Sequence, residues 1–474
     1  MLCCSAASPP AKTEASALLH PPARHETATW KATFVVLSLA FLVDRASEFA
    51  TDGMGRAFEE QFRTTPNALS TLSLCQAISL ALCSPIWGYL ADLYPRTRLL
   101  AIGCSAWAFF MICASCAPHF WTVVLFQGLA GCMLGSVRPN VLGMVADTVP
   151  METQGSSYGI LLGSGALGGL GGVVYANSVS EKLLFGSVNG WRVVFFTLAL
   201  AAVALAVATL LFARDPRGDS RSERAAGSFS NFLSELWLLL QIKTFVLITI
   251  CSALCYTPFK VGTFWVLCLR YSGFSQTSAS GVFAVGLVAT IAGNVFGGKA
   301  GDLMAAKHPD MGRIWLAQLS TTCSIACALV CLLAVPTTPE YSWCFAVIFA
   351  IFGFFGQGYS AGANNPMLAA VSPPELRSTI MAWAYGLEIA GAAILGPPFV
   401  GLIAQEGFGY IPSQETDISN VPDEQRSKNA IALRNALLIM TVVPFAIATM
   451  LYSLIGKIYP RDRDAQLVTS KSVI

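Results

Sequence analysis

Six ionisable side chains fall inside long apolar stretches of this 474-residue chain: Asp44, Arg45, Glu48, Arg138, Lys260 and Glu388. Charge at membrane depth costs several kcal/mol, so each is a functional candidate. Asp44 and Glu48 are four apart and share a helical face, with Arg45 one position round. If Arg45 moved towards and away from Asp44, the carboxylate could release and take up a proton, because a nearby cation favours the ionised form. The same three residues could instead form a static cluster that holds their helix in register. Arg138 and Lys260 carry positive charge, and a solute carboxylate or phosphate could bridge them; the arginine fork suits such oxygens. The alternative is that Arg138 pairs with Glu48 or Asp44. Glu388, in YGLEIAGAAILGPP, is a further proton-carrying candidate or the partner of Lys260. Asn364 and Asn365 precede Pro366, where proline frees backbone carbonyls for a ligand.

These residues need a scaffold, and composition supplies its class. The chain is 54% hydrophobic and 12% charged, with a mean hydropathy of +0.60, against about 25% charged in a soluble domain. Charges cluster, leaving runs long enough for a ~30 Å hydrocarbon core, which takes about 20 helical residues. Twelve spans are expected, near 32–54, 69–91, 98–118, 121–147, 153–178, 191–213, 244–269, 277–299, 314–336, 342–371, 376–404 and 430–456. They are apolar all round rather than at alternate positions, so they read as helices and not as a barrel. With both termini inside, inner segments hold 18 of the 29 Lys and Arg residues and outer segments 8, the bias expected of cytoplasmic termini.

The longest inner loop, ARDPRGDSRSERAAGSFSN (213–231), divides six spans from six. The expected organisation is a disordered cytoplasmic tail over 1–31, a six-helix bundle over 32–213, a cytoplasmic linker over 214–243, a second bundle over 244–456 and a tail over 457–474. The halves repeat. GYLADLYPRTR (Gly88–Arg98) follows the second span and GKAGD (Gly298–Asp302) the eighth, each with the spacing Gly-x-x-x-Asp. PMETQGSS, with Glu152, and PPELRSTI, with Glu375 and Arg377, precede the fifth and eleventh. Parallel repeats suggest a substrate site at mid-membrane between the halves. Glycines at 159, 163, 165, 168, 169, 171 and 172 suit close helix packing in the fifth span.

The Gly88–Arg98 segment resembles the signature loop between helices 2 and 3 of the major facilitator superfamily, and Gly298–Asp302 is similar to its second copy. The resemblance implies an all-α membrane protein of twelve helices in two pseudo-symmetric bundles, lined centrally by the first, fourth, seventh and tenth. It also implies an inner gate: Gly88 and Gly298 at close crossings, and Asp92 capping a helix end and pairing with Arg96. Arg98, Asp302, Glu152, Glu375 and Arg377 complete it, with Lys307 and Arg313 as the spread-out basic residues of the second loop. Leu93 and Pro95 stand where the pattern has arginine and glycine. FLVDRASEFATDGMGRAFEEQF (41–62), GWRVVFF at Gly190, ARDPR at Ala213 and NNPMLAAVSPPELRSTIMAW at Asn364 resemble spinster-like transporters and their plant and protist relatives. Gln127 and Leu134 stand where that branch commonly has arginine and glutamate.

Other classes fit poorly. No Gly-x-x-x-x-Gly-Lys-Ser/Thr loop for a nucleotide-driven pump occurs. The four histidines, at 20, 25, 119 and 308, form no metal spacing, and the fifteen cysteines read as apolar packing residues; Cys3 and Cys4 could carry palmitate. A net charge of +2 without a basic block gives no reason to expect nucleic acid. Neither cofactor nor metal is expected, and no enzymatic activity. The expected function is secondary active transport of a small organic solute, anionic and coupled to protons, by a monomer in the plasma membrane or an organelle membrane. A lysolipid or sphingolipid transporter and a non-transporting transceptor are the alternatives.

Overall fold

The computed structural model describes residues 24–63, 66–184, 186–217, 237–411 and 421–472. Most of the expected N-terminal tail, with Cys3 and Cys4, and most of the linker lie outside the described residues. Eleven helices among the described residues are long and apolar enough to cross a membrane. The first helix, Arg24–Gly53, is the first span and brings the number to twelve; Asp44, Arg45 and Glu48 interrupt its apolar run. The second to sixth spans are Pro66–Leu93, Arg96–Cys116, Phe120–Thr148, Gln154–Val179 and Gly190–Phe212. The seventh to eleventh are Lys243–Tyr271, Gln276–Lys307, Gly312–Ala334, Pro339–Val371 and Arg377–Gly407, and the twelfth is Asp423–Ser472.

Packing repeats after six spans. The first packs on the fifth and sixth, the second on the fourth, and the third on the fourth and sixth. The same pairings recur as seventh on eleventh and twelfth, eighth on tenth, and ninth on tenth and twelfth. The bundles meet chiefly where the fifth crosses the eighth and the second crosses the eleventh. Backbones approach closely along the fifth span: a Cβ on Gly168 would stand 2.0 Å from the carbonyl oxygen of Leu42. Only a residue without a side chain fits there.

Several spans are irregular where the candidate residues lie. The fourth breaks between Leu134 and Val137, just before Arg138. The seventh breaks at Val261, after Lys260 and an internal Pro258. A π-turn at Ser360–Asn364 interrupts the tenth ahead of Pro366. Such breaks free backbone groups and re-aim side chains, and they favour functional positions.

Four helix ends lie seven or more residues from the sequence expectation; the eighth span runs to Lys307 rather than 299, and the twelfth begins at Asp423 rather than 430. The first helix begins at Arg24 rather than 32, and the last runs to Ser472 rather than 456. Hydropathy marks the apolar part of a helix, whereas RHETATW and RDRDAQL extend it with polar stretches that include the good helix formers Arg, Glu, Gln and Ala. A short helix at Gly55–Phe62 and a hairpin pairing Leu183–Leu184 with Val188–Asn189 lie between spans.

Candidate functional site

At one end of the bundle the two halves are fastened reciprocally. Asp92, at the end of the second span, accepts hydrogen bonds from the backbone amides of Ser378 (3.1 Å) and Thr379 (2.8 Å), which open the eleventh. Asp302, in the eighth, accepts from the amides of Gly155 (2.8 Å) and Ser156 (2.6 Å) and from the Ser156 hydroxyl (2.7 Å), at the start of the fifth. Helix N-termini present amides with no intrahelical acceptor and a positive dipole end, so a carboxylate satisfies both. Each aspartate belongs to one half and caps a helix of the other.

Basic residues hold these carboxylates. Arg96, fully buried, is 3.3 Å from Asp92 and also pairs with Asp147 at the end of the fourth span. Arg377, from the other half, pairs with the same Asp147. Arg313 is 3.0 Å from Asp302 and donates to the carbonyls of Gly362 (2.8 Å) and Met151 (3.0 Å). Arg313 therefore stands in the second half where Arg96 stands in the first; a longer stretch separates it from its aspartate. Gly88 and Gly298 lie at the crossings, where a Cβ would be 2.3 Å from Ala382 Cβ and 2.1 Å from the Gly155 oxygen.

Three gate candidates lie outside this network. Arg98 is exposed. Glu152 and Glu375 are exposed too, and these two glutamates make no hydrogen bond or ion pair among the described residues. The amides that they precede are already taken by Asp302 and Asp92. The sequence reading missed Asp147, Asp215 and Asp462. Asp215 accepts from the Arg96 amide (2.7 Å) at the start of the third span, and Asp462 from the Thr244 amide (2.9 Å) at the start of the seventh. Arg217 donates to the Ala91 carbonyl (2.6 Å) and lies 3.7 Å from Asp92. A short repeat could have found two of them: Arg-Asp-Pro-Arg at 214 follows the sixth span, and Arg-Asp-Arg at 461 lies in the polar extension of the twelfth.

Away from this gate a cavity of about 680 Å³ lies between the halves and reaches the opposite span ends at Gly53, Asn177, Arg270 and Gln276. Four cations, Arg45, Arg138, Lys260 and Arg270, and two carboxylates, Glu48 and Glu388, contribute to its wall. Arg45 pairs with Glu48, not with Asp44. Neighbours on a helix diverge, whereas residues three apart share a face. Lys260 Nζ is 3.4 Å from Glu48 Oε1, so Lys260 also partners Glu48 and not Glu388. Glu388 makes no hydrogen bond or ion pair among the described residues, and Arg45 and Lys260 are its charged neighbours.

Arg138 is held differently. Its guanidinium lies 3.7 Å from the centroid of the Tyr385 ring and 5.2 Å from that of Phe41. Its Nε is 3.9 Å from Asp44 Oδ2, and Nε and Nη2 are buried without a hydrogen-bond acceptor. Asp44 itself is buried behind the cavity wall. Asn364 and Asn365 do not reach the wall either. Asn364 donates to Ser252 Oγ (2.9 Å) and accepts from the Tyr452 hydroxyl (2.9 Å), tying three spans together. The Asn365 amide turns to Ser360 Oγ at 3.5 Å. The rest of the wall is largely apolar, with Trp265, Phe283, Phe349 and Phe352 on the side of the second half.

The architecture matches solved structures of a bacterial homologue of the human lysosomal transporter Spinster. For its inward-facing, unoccupied form the TM-score is 0.58 at 18% identity, covering 94% of this chain and 99% of that one. In sequence, the multi-drug resistance efflux pump PmrA of Streptococcus pneumoniae is 25% identical over 70% of this chain and 78% of its own length. The gentisate transporter of Corynebacterium glutamicum is 24% identical over 74% and 76%. A family match over residues 30–397 takes in the first helix, both aspartate loops and the start of the eleventh span, and this multi-pass membrane transporter belongs to the Major Facilitator Superfamily.

Proposed function

We propose that this chain is a secondary transporter of a small organic anion, coupled to protons and working by alternating access. The observation that carries this reading is Arg138, a cavity-wall cation with two buried donors, Nε and Nη2, that have no hydrogen-bond acceptor. A carboxylate entering the cavity and drawing the Arg138 guanidinium out of its packed position would give those donors an acceptor. Asp44 is the group that competes with it. Ionised, Asp44 draws Arg138 back; protonated, it leaves the guanidinium to the solute, so proton and anion favour each other's binding. The Lys and Arg bias supports assigning the fastened end to the cytoplasm.

The test uses purified protein, first screened by thermal shift against a panel of organic acids, then reconstituted in vesicles. Arg138→Gln should weaken binding of the stabilising acid about tenfold or more, one charge-assisted contact being worth ~1.5–3 kcal/mol. Unchanged affinity would remove Arg138 from the site. The aromatic part of the wall favours one other reading, an amphiphile such as a lysolipid, in line with the spinster-like segments. Stabilisation by lysolipids and by no soluble acid would favour that reading.

A further inference from the structure

We infer that Tyr385 is a positioning residue for transport: its ring holds Arg138 across the two halves and so keeps the gate shut while the cavity is empty. The inference rests on the reading of Arg138 above and adds a residue from the opposite bundle. Arg138 belongs to the fourth span and Tyr385 to the eleventh, and the guanidinium lies 3.7 Å from the ring centroid. The eleventh is also the helix whose first amides Asp92 caps, so Tyr385 sits two turns beyond the gate bonds at Ser378 and Thr379. Both partners of the stack are buried, Arg138 at 6% exposure and Tyr385 at 6%, where a cation over an aromatic face is least weakened by water.

The stack uses only the face of the ring. The Tyr385 hydroxyl has no hydrogen-bond partner, and neither have Nε and Nη2 of Arg138. Arg138 is thus held between Phe41 and Tyr385 with two donors that no acceptor has claimed. Opening the gate pulls the eleventh span from the fourth and removes the ring. Arg138 must then find an oxygen acceptor: Asp44, at 3.9 Å, is its ion-pair partner among the described residues, and a bound anion is the competitor. Tyr385 thereby ties gate opening to the occupancy of Arg138.

Hydrogen–deuterium exchange of the intact protein in nanodiscs tests this without labels, because the amides of Ser378 and Thr379 are bonded only while the gate is closed. Tyr385→Leu should raise their exchange about tenfold, the scale of one buried cation–aromatic contact. Tyr385→Phe keeps the face and should exchange like the parent. Arg138→Gln removes the other partner and should reproduce the Tyr385→Leu rise, and the double variant should add nothing further. Should Tyr385→Leu fail to fold, Arg138→Gln and Tyr385→Phe still decide. Equal rises in Tyr385→Phe and Tyr385→Leu would show that the hydroxyl matters rather than the ring. No rise in Arg138→Gln would show that the stack does not hold the gate. Loss of solute binding in Arg138→Gln with exchange unchanged would leave the transport reading standing and overturn this one.

Discussion

At the scale of single residues, the polar groups of the cavity form a chain of competing pairs rather than isolated charges. Glu48 is shared by Arg45 and Lys260, one from each half, and Asp44 faces Arg138 at 3.9 Å. A carboxylate shared in this way is a poor proton carrier while both cations remain; under the proposed coupling the carrier is Asp44, which is buried and faces Arg138. Asp44→Asn should therefore abolish the response of uptake to an imposed pH gradient, while solute exchange at equal pH survives, since Arg138 is then permanently free of its competitor. Vesicle flux with and without the gradient measures both. Gradient-driven uptake that persists would pass the role to Glu48 or Glu388. Much of this was legible in the sequence, because an ionisable residue in an apolar run stands out whatever the fold. Arg138 opposite Asp44 was one of the two pairings the sequence offered; the partner of Arg45 was not legible. Arg45 is next to Asp44 in sequence but three residues from Glu48, and helical geometry favours the latter.

At the scale of helices, the two halves are fastened through helix ends, and the proposed gate is this fastening. Asp92 and Asp302 each cap a helix of the opposite bundle, and Asp215 and Asp462 cap the third and seventh spans. Asp92→Asn keeps the shape but removes the charge that suits a helix N-terminus. Such interactions are worth roughly 1–3 kcal/mol. Exchange at Ser378 and Thr379 should rise about tenfold, and cysteines introduced on the gate side of the cavity should become more reactive to impermeant reagents. Unchanged reactivity together with unchanged exchange would show that Asp92 does not hold the gate. The first loop was readable because Gly88, Asp92 and Arg96 fall within nine residues. Arg313 stood apart because the second loop separates it from Asp302 by eleven positions. Asn364 misled for a related reason. An asparagine just ahead of a proline resembles a ligand site in sequence, but Asn364, two residues before Pro366, ties together the seventh, tenth and twelfth spans.

At the scale of the whole molecule, the repeated packing pattern makes the two bundles bodies of matching construction, joined at the gate by caps that mirror one another. If the halves rock rigidly, every gate bond reports on one equilibrium, between fastened and open. Weakening the cap at Asp302 must then loosen the cap at Asp92, although their partners lie on different helices. Asp302→Asn should raise exchange at Ser378 and Thr379, which Asp302 does not touch, about as much as at Gly155 and Ser156. The reciprocal should hold for Asp92→Asn. In the double variant the two increases should multiply, to about a hundredfold for two tenfold effects, until the open form predominates and exchange levels off. Parent, single and double variants are compared by exchange mass spectrometry under one set of conditions. If each substitution instead loosens only its own helix end, the bundles do not move as rigid units. The ends of the fifth and eleventh spans would then be separate latches, and alternating access in this chain would have to proceed by bending individual helices at Val261, Gly135 and the Ser360–Asn364 turn.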